Sequence, residues 1–180
     1  MKEKLEISLT TLNNRSKGPN FAIFHNDRQL DRQENFFDST YTGVFNIETS
    51  QGTNKIIIEH YGKNPKDTIL EDGETKADVA ISLVSMKFNN IACHPVDLHE
   101  NYFYPRWKYD VGDKIKNNLY FGYNGTYEYL FDSPVSEYLL AQHDKYKKED
   151  FFIEQDKYVS EDEFVSCLKK HIDDEQEYLL

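Results

Sequence analysis

Leu119-Tyr120-Phe121-Gly122-Tyr123-Asn124-Gly125-Thr126-Tyr127-Glu128-Tyr129-Leu130-Phe131 is the stretch that decides the fold class. Apolar and aromatic side chains alternate on both arms, with Leu119, Phe121 and Tyr123 before Asn124-Gly125 and Tyr127, Tyr129 and Phe131 after it. A repeat of two puts every second side chain on one face of an extended strand, which suits a sheet buried on one side. Asn-Gly between two such arms is a strong hairpin signal, because both central residues of a type I′ turn need positive φ. The stretch predicts an antiparallel hairpin, and with it a mainly β protein.

The same grammar runs back toward the N-terminus. Leu5, Ile7 and Leu9 alternate with polar residues and predict a strand over residues 4–12. Phe21 to His25 is a continuous apolar run, as in a strand covered on both faces. Val44–Glu48 and Lys55–Tyr61 flank the turn formers Thr49-Ser50-Gln51-Gly52-Thr53-Asn54, which predicts a second hairpin. Within Val79–Phe88 the apolar parity switches from Val79, Ile81 and Leu83 to Val84, Met86 and Phe88. A β-bulge near Leu83-Val84 reconciles the two phases, and burial on both faces is the alternative. Residues 26–40 and 62–78 read as charged loops, and 89–118 as a loop holding a short strand.

After Phe131 the period changes. Ser133-Pro134 can open a helix over residues 134–146, with Val135, Tyr138, Leu139 and Gln142 near one face. A second helix is predicted where Ser160 and Glu163 have capping-box spacing and Phe164, Cys167, Leu168, His171 and Ile172 form an apolar stripe. Half-apolar strands need a second sheet to bury against. The expected architecture is an antiparallel β-sandwich over residues 1–132, followed by a helical, acidic C-terminal arm over 133–180.

Composition narrows the function. Leu, Ile, Val and Phe supply 46 of the 180 residues, enough for a real core. Against 32 acids stand 21 Lys and Arg, so the net charge of -11 opposes binding to polyanions and no nucleic-acid partner is expected. No apolar run approaches the roughly 18 to 20 residues that cross a bilayer, and Met1–Glu6 does not lead into a secretory h-region, so no membrane partner is expected either. Cys93 and Cys167 form no disulfide framework. Gly-x-Ser-x-Gly, Gly-x-Gly-x-x-Gly and the phosphate-binding loop are all absent, so the chain is expected not to be an enzyme. A hydrolase using some pair of its carboxylates is a further alternative.

Three groups of residues carry the site expectations. Asn101 to Asp110 holds five aromatics in ten residues, and Tyr102, Tyr104, Trp107 and Tyr109 could stack on the C–H faces of a sugar while neighbouring polar groups fix its hydroxyls. The same rings could instead cap the sandwich or enter a protein interface. Asp67, Glu71, Asp72 and Asp78 gather hard oxygen ligands around one loop and make calcium the one candidate cofactor; otherwise they are a solvated acidic turn. Phe164, Leu168 and Ile172 would dock the last helix on another protein subunit. Cys93, His94, Asp97, His99 and Glu100 crowd together without metal-ligand spacing and read as a surface loop around Pro95.

Ile56-Ile57-Ile58-Glu59-His60-Tyr61-Gly62-Lys63-Asn64-Pro65-Lys66-Asp67-Thr68, Val79-Ala80-Ile81-Ser82-Leu83-Val84, and Leu119 to Tyr127 running on to Phe131-Asp132-Ser133-Pro134 together resemble small jelly-roll domains. These are similar to xylan-type carbohydrate-binding modules and recur among structural proteins of tailed bacteriophages. The resemblance covers about half of the chain and implies a non-catalytic unit. In its first form that unit is a structural or attachment subunit of a virion, made in the host cytoplasm and assembling as a homo-oligomer or with other subunits. In its second form it is a soluble carbohydrate-binding module with a glycan as partner. The turns at Asp67 and Asp72 fall where such modules hold calcium.

Overall fold

The computed structural model describes residues 1–14, 16–106 and 114–148. The chain divides into two compact units, Met1–His143 and Asp144–Leu180. The first is an antiparallel β-sandwich, as the alternating strands require. One sheet is built from β1 (Lys2–Leu12), β4 (Thr40–Glu48), β8 (Ala80–Phe88), β9 (Ile91–Ala92) and β11 (Tyr120–Phe121). Its order is β11-β8-β1-β4, with β9 on β8. The other has the order β10-β12-β5-β2-β3, from β2 (Asn20–His25), β3 (Arg28–Gln33), β5 (Gly52–Tyr61), β10 (Tyr102–Pro105) and β12 (Gly125–Ser133). Residues 62–78, expected to be a charged loop, instead hold a separate small ribbon that pairs β6 (Ile69–Glu71) with β7 (Glu74–Ala77).

The inner faces meet in one core. Leu5, Ile7, Leu9, Ile81, Met86 and Phe88 come from the first sheet, and Phe21, Ile23, Ile56, Ile58, Tyr127, Tyr129 and Phe131 from the second. The bulge expected in β8 is present: opposite β1 the pairing steps from Ser8↔Ser85 to Leu9↔Leu83 and leaves Val84 over. That one residue brings Ile81, Leu83, Met86 and Phe88 to the same face, while Val84 itself turns outward and is 57% exposed.

Both predicted hairpins are replaced by crossings from one sheet to the other. β11 pairs with β8, and β12 pairs with β5 and β10. The crossing at Gly122–Asn124 is pinned by the end of β5: Lys63 Nζ donates to the Gly122 carbonyl at 2.5 Å, and His60 Nδ1 lies 2.9 Å from the Tyr123 carbonyl. The Asn124 amide bonds the main chain of Lys63 in both directions at 2.8 Å. Gly125 is absent from the described glycines of positive φ, so no type I′ turn forms. Its lack of a side chain serves close approach instead: a Cβ there would meet Phe103 Cζ at 2.5 Å and the Tyr104 carbonyl oxygen at 2.6 Å. In the other crossing, from β4 to β5, the buried Asn54 amide closes a tight corner by accepting from Ser50 N–H and donating to the Ser50 and Gly52 carbonyls. Alternation specifies which side chains face inward. It does not specify which of two facing sheets receives the strand.

Two further expectations are corrected. Residues 26–40 are not all loop, because β3 turns back on β2 through Asn26, whose φ is 52°. Arg28, Gln29, Asp31, Arg32 and Gln33 hide this edge strand by giving it almost no apolar face. Residues 89–118 contain a helix, α1 (Pro95–Glu100), with Pro95 in its first turn and the His94 ring accepting from Val96 N–H. Asp97 and Leu98 are buried there, so the region around Pro95 is no surface loop. Helix α2 (Val135–Lys148) starts one residue later than expected, with Pro134 before it instead of at its first position: the Pro134 carbonyl accepts from Glu137 and Tyr138 N–H, and Ser133 Oγ meets Thr49 Oγ1 at 3.1 Å. Val135 and Leu139 complete the core. The second predicted helix lies outside the described residues. Among those described, no helix is long and apolar enough to cross a membrane.

Gly125→Ala should lower stability by about 1–3 kcal/mol, the usual cost of forcing atoms into a filled space. Its urea midpoint, read by circular dichroism, should drop with an unchanged native spectrum.

Candidate functional site

The outer face of the second sheet is where the described residues place an open depression. Its register is set by Tyr104↔Thr126, Thr126↔Glu59 and Glu128↔Ile57 across β10, β12 and β5, and by Ala22↔Glu59 and Phe24↔Ile57 across β5 and β2. Each of these residues is one step out of phase with the core positions, so all of them point away from it. The result is a groove of 610 Å³ lined by Phe24, Asn26, Asp27, Ile57, Glu59, Tyr104, Arg106, Thr126 and Glu128. Phe24 and Ile57 give it an apolar floor, and the polar groups stand around them.

Three of the four charged groups that line it are fixed in pairs. Arg106 Nη1 lies 2.8 Å from Glu59 Oε1, and Arg106 Nη2 approaches Thr126 Oγ1 at 3.4 Å. Lys55 Nζ lies 2.9 Å from Glu128 Oε1. Each carboxylate keeps an oxygen beyond those used in these pairs, and the Arg106 side chain is 63% exposed. Partly solvated pairs of this kind contribute little to stability, roughly 0–1 kcal/mol, but they hold their groups in place for a ligand.

Of the four aromatics expected to bind a ligand, Tyr102 and Tyr104 share this outer face, with ring centroids 6.2 Å apart. Tyr104 stands in the groove and is 37% exposed. Tyr102 sits to one side, with Lys114 Nζ 4.2 Å and Lys116 Nζ 5.2 Å from its ring centroid. Trp107 and Tyr109 lie outside the described residues, as do Phe164, Leu168 and Ile172 of the expected docking helix. The sequence does not single out Phe24, Ile57, Glu59, Thr126 and Glu128, whereas Arg106 belongs to the aromatic stretch whose polar neighbours are expected to fix hydroxyls. The available signal was Ile57-Ile58-Glu59, where an isoleucine and a glutamate share the parity opposite to the core.

The four acids considered for calcium do not converge. Asp67 pairs with Lys17 at 2.6 Å and accepts from Asn64 N–H. Asp78 pairs with Lys63 at 2.5 Å and also accepts from Thr68, Tyr120 and Val79 N–H. Glu71 and Asp72 are exposed on the β6–β7 ribbon. Among the described residues, no group of three or more His, Cys, Asp or Glu could hold a metal ion. Cys93, just before α1, and Asp97, within it, are buried, and burial pushes the Cys93 thiol up to about 12.

No family model matches the chain, and no curated protein matches its sequence. Among solved structures it is similar to one described as "vCBM60 in complex with galactobiose", with a TM-score of 0.42 and 10% identity, covering 70% of this chain and 96% of that chain.

Burial pushes the Asp78 carboxyl up, but the Lys63 ammonium and the hydrogen bonds from Thr68, Tyr120 and Val79 outweigh it and hold the group below its ordinary value of 3.8. A lowered carboxyl contributes stability that is complete above the unfolded value and lost as pH falls through the folded one. The parent should therefore lose urea resistance below about pH 5 more steeply than Asp78→Asn, whose stability should be lower at neutral pH and flatter toward acid.

Proposed function

We propose that this protein is a carbohydrate-binding unit that holds a glycan in the groove on the outer face of its second sheet and does not turn it over. The observation that carries the reading is the exposed Tyr104 ring in one groove with a guanidinium and two carboxylates that are already fixed by ion pairs. A pyranose has apolar C–H faces and an equator of hydroxyls, and this groove offers a partner for each. Tyr104 supplies a ring for the apolar face, and Phe24 and Ile57 add apolar surface further along the same groove. Glu59, Glu128 and Asp27 can accept from hydroxyl groups, while Arg106 and the Asn26 amide can donate to them. A shallow, open site suits one stretch of an extended chain, whose ends can leave the groove on both sides.

An attachment subunit of a virus particle is one setting for such a unit. It stays a proposal drawn from the resemblance of the strands and turns, and its docking segment lies outside the described residues.

On a glycan array the full chain should retain at least one class of neutral oligosaccharide, and Tyr104→Ala should weaken that binding about tenfold, the scale of one lost aromatic contact with its burial. Glu59→Gln, which keeps the shape and frees Arg106, should change which glycan is preferred. Failure of the parent to retain any glycan would overturn the reading.

A further inference from the structure

Sheet edges expose unpaired main-chain groups, and proteins normally blunt them with charge, proline, bulges or short strands. Most edges of this sandwich are treated in that way. β3 carries Arg28, Asp31 and Arg32 and has a register break against β2. β10 ends in Pro105, and its Phe103 exchanges both main-chain bonds with Ile115. β9 and β11 are two residues long.

β4 has none of these devices. It is a nine-residue strand, Thr40-Tyr41-Thr42-Gly43-Val44-Phe45-Asn46-Ile47-Glu48, with no proline, no lysine or arginine, and one acid at its end. It pairs with β1 without a break from Thr10↔Thr40 to Lys2↔Glu48, and no described strand lies on its other side. On the inner side, the Tyr41 hydroxyl and the Phe45 ring close over Gly43, where a Cβ would meet them at 2.6 and 2.5 Å. The strand is thus sealed toward the core, and among the described residues no strand pairs with its other edge.

The phase of its hydrogen bonds is known from the strand ends. Met1 N and Thr49 O, and Thr49 N and Met1 O, exchange bonds at 2.6 and 2.8 Å, and Thr11 N donates to Ser39 O at 2.9 Å. In an antiparallel ladder the bonded pairs alternate. Tyr41, Gly43, Phe45 and Ile47 hence turn their main-chain groups toward β1, and Thr40, Thr42, Val44, Asn46 and Glu48 turn theirs to the open edge. These five residues also line the outer face, where Val44 is 54% exposed.

We propose that β4 pairs with β4 of a second copy of this chain, antiparallel about a two-fold axis at Val44. That register bonds all five outward residues, setting Val44 against Val44, Thr42 against Asn46 and Thr40 against Glu48. It joins apolar to apolar and hydroxyl to amide or carboxylate, and it places no like charges opposite each other, so the edge is complementary to itself. Pairing extends the first sheet of each copy into one continuous sheet and leaves both grooves open on the opposite layers. The inference is independent of what the groove binds.

The test is the mass of the full chain by size exclusion with light scattering at high micromolar concentration. The parent should run at twice the monomer mass. Val44→Pro removes an N–H that faces the edge and no bond to β1, so it should be a monomer with the parent's circular dichroism; Val44→Lys, which leaves the backbone untouched, should be a monomer too. A second measurement reads the register. In a Cys167→Ser background, a short bis-maleimide should join Val44→Cys to itself, whereas it should join Thr42→Cys only to Asn46→Cys, since hydrogen-bonded pairs hold their Cβ atoms about 5.5 Å apart, too far for a direct disulfide. A monomeric parent, a dimer that survives both Val44 variants, or Thr42→Cys cross-linking with itself would each overturn the proposal.

Discussion

Tyr127, Tyr129 and Phe131 enter the core from the inner face of β12, and most of the remaining architecture answers to them. Their rings reach across to the first sheet: Phe121 stacks on Tyr127 with centroids 5.5 Å apart, and Phe88 meets Phe131 at 4.7 Å and Tyr129 at 6.3 Å. Such rings supply much of the apolar area that holds two sheets together. Two of them bring hydroxyls into a space that water does not reach, and an unpaired buried hydroxyl costs about 1–3 kcal/mol. Helix α1 removes that cost. Its Leu98 carbonyl accepts from Tyr127 at 2.7 Å and its buried Asp97 carboxylate from Tyr129 at 2.5 Å. Tyr138 of α2 approaches the same carboxylate at 3.2 Å. A six-residue helix with little intrinsic stability is therefore held by the polar ends of core aromatics, and it helps to seat the start of α2 in turn.

The groove depends on the same strand from its other side. Thr126 and Glu128 interleave with Tyr127 and Tyr129, so the pleat that fixes the core rings also fixes the polar side chains opposite them. On the outer face the Lys55–Glu128 pair then ties β5 to β12, and the Arg106–Glu59 pair reaches across β12 from the end of β10 to β5. Most of the groove's side chains stand on strands, and a site with prearranged groups loses less freedom when a ligand arrives.

Much of this fold was legible in the sequence, and the failures have one physical origin. Period-two alternation marked β1 and β12, a continuous apolar run marked β2, and the shift of parity in Val79–Phe88 located the bulge at Val84. Each of those signals is local, because it concerns which face of one strand is buried. Partner choice is not local. Thr49–Asn54 and Asn124-Gly125 have the residues of tight turns, yet both lead the chain between sheets, because an alternating strand is equally satisfied by either half of a sandwich. β3 and α1 escaped because neither has a periodic apolar face: β3 is almost wholly polar, and α1 is too short for a stripe. At the site, Tyr102 and Tyr104 stood out as aromatics among polar residues. Glu59, Thr126 and Glu128 were indistinguishable from solvated positions until the register placed them side by side.

The order of the strands along the chain has a consequence for the nascent protein. β1 lies in the interior of its sheet, between β4 and β8, and its pairing begins only with a strand that opens at Thr40 and is complete only with one that ends at Phe88. At about 5–20 residues per second on the ribosome, Leu5, Ile7 and Leu9 wait several seconds for the second of these partners. During that interval an uncovered β-forming segment is a natural substrate for a chaperone. Yield in a host cell should depend on how well it is shielded while the rest of the sandwich is being made.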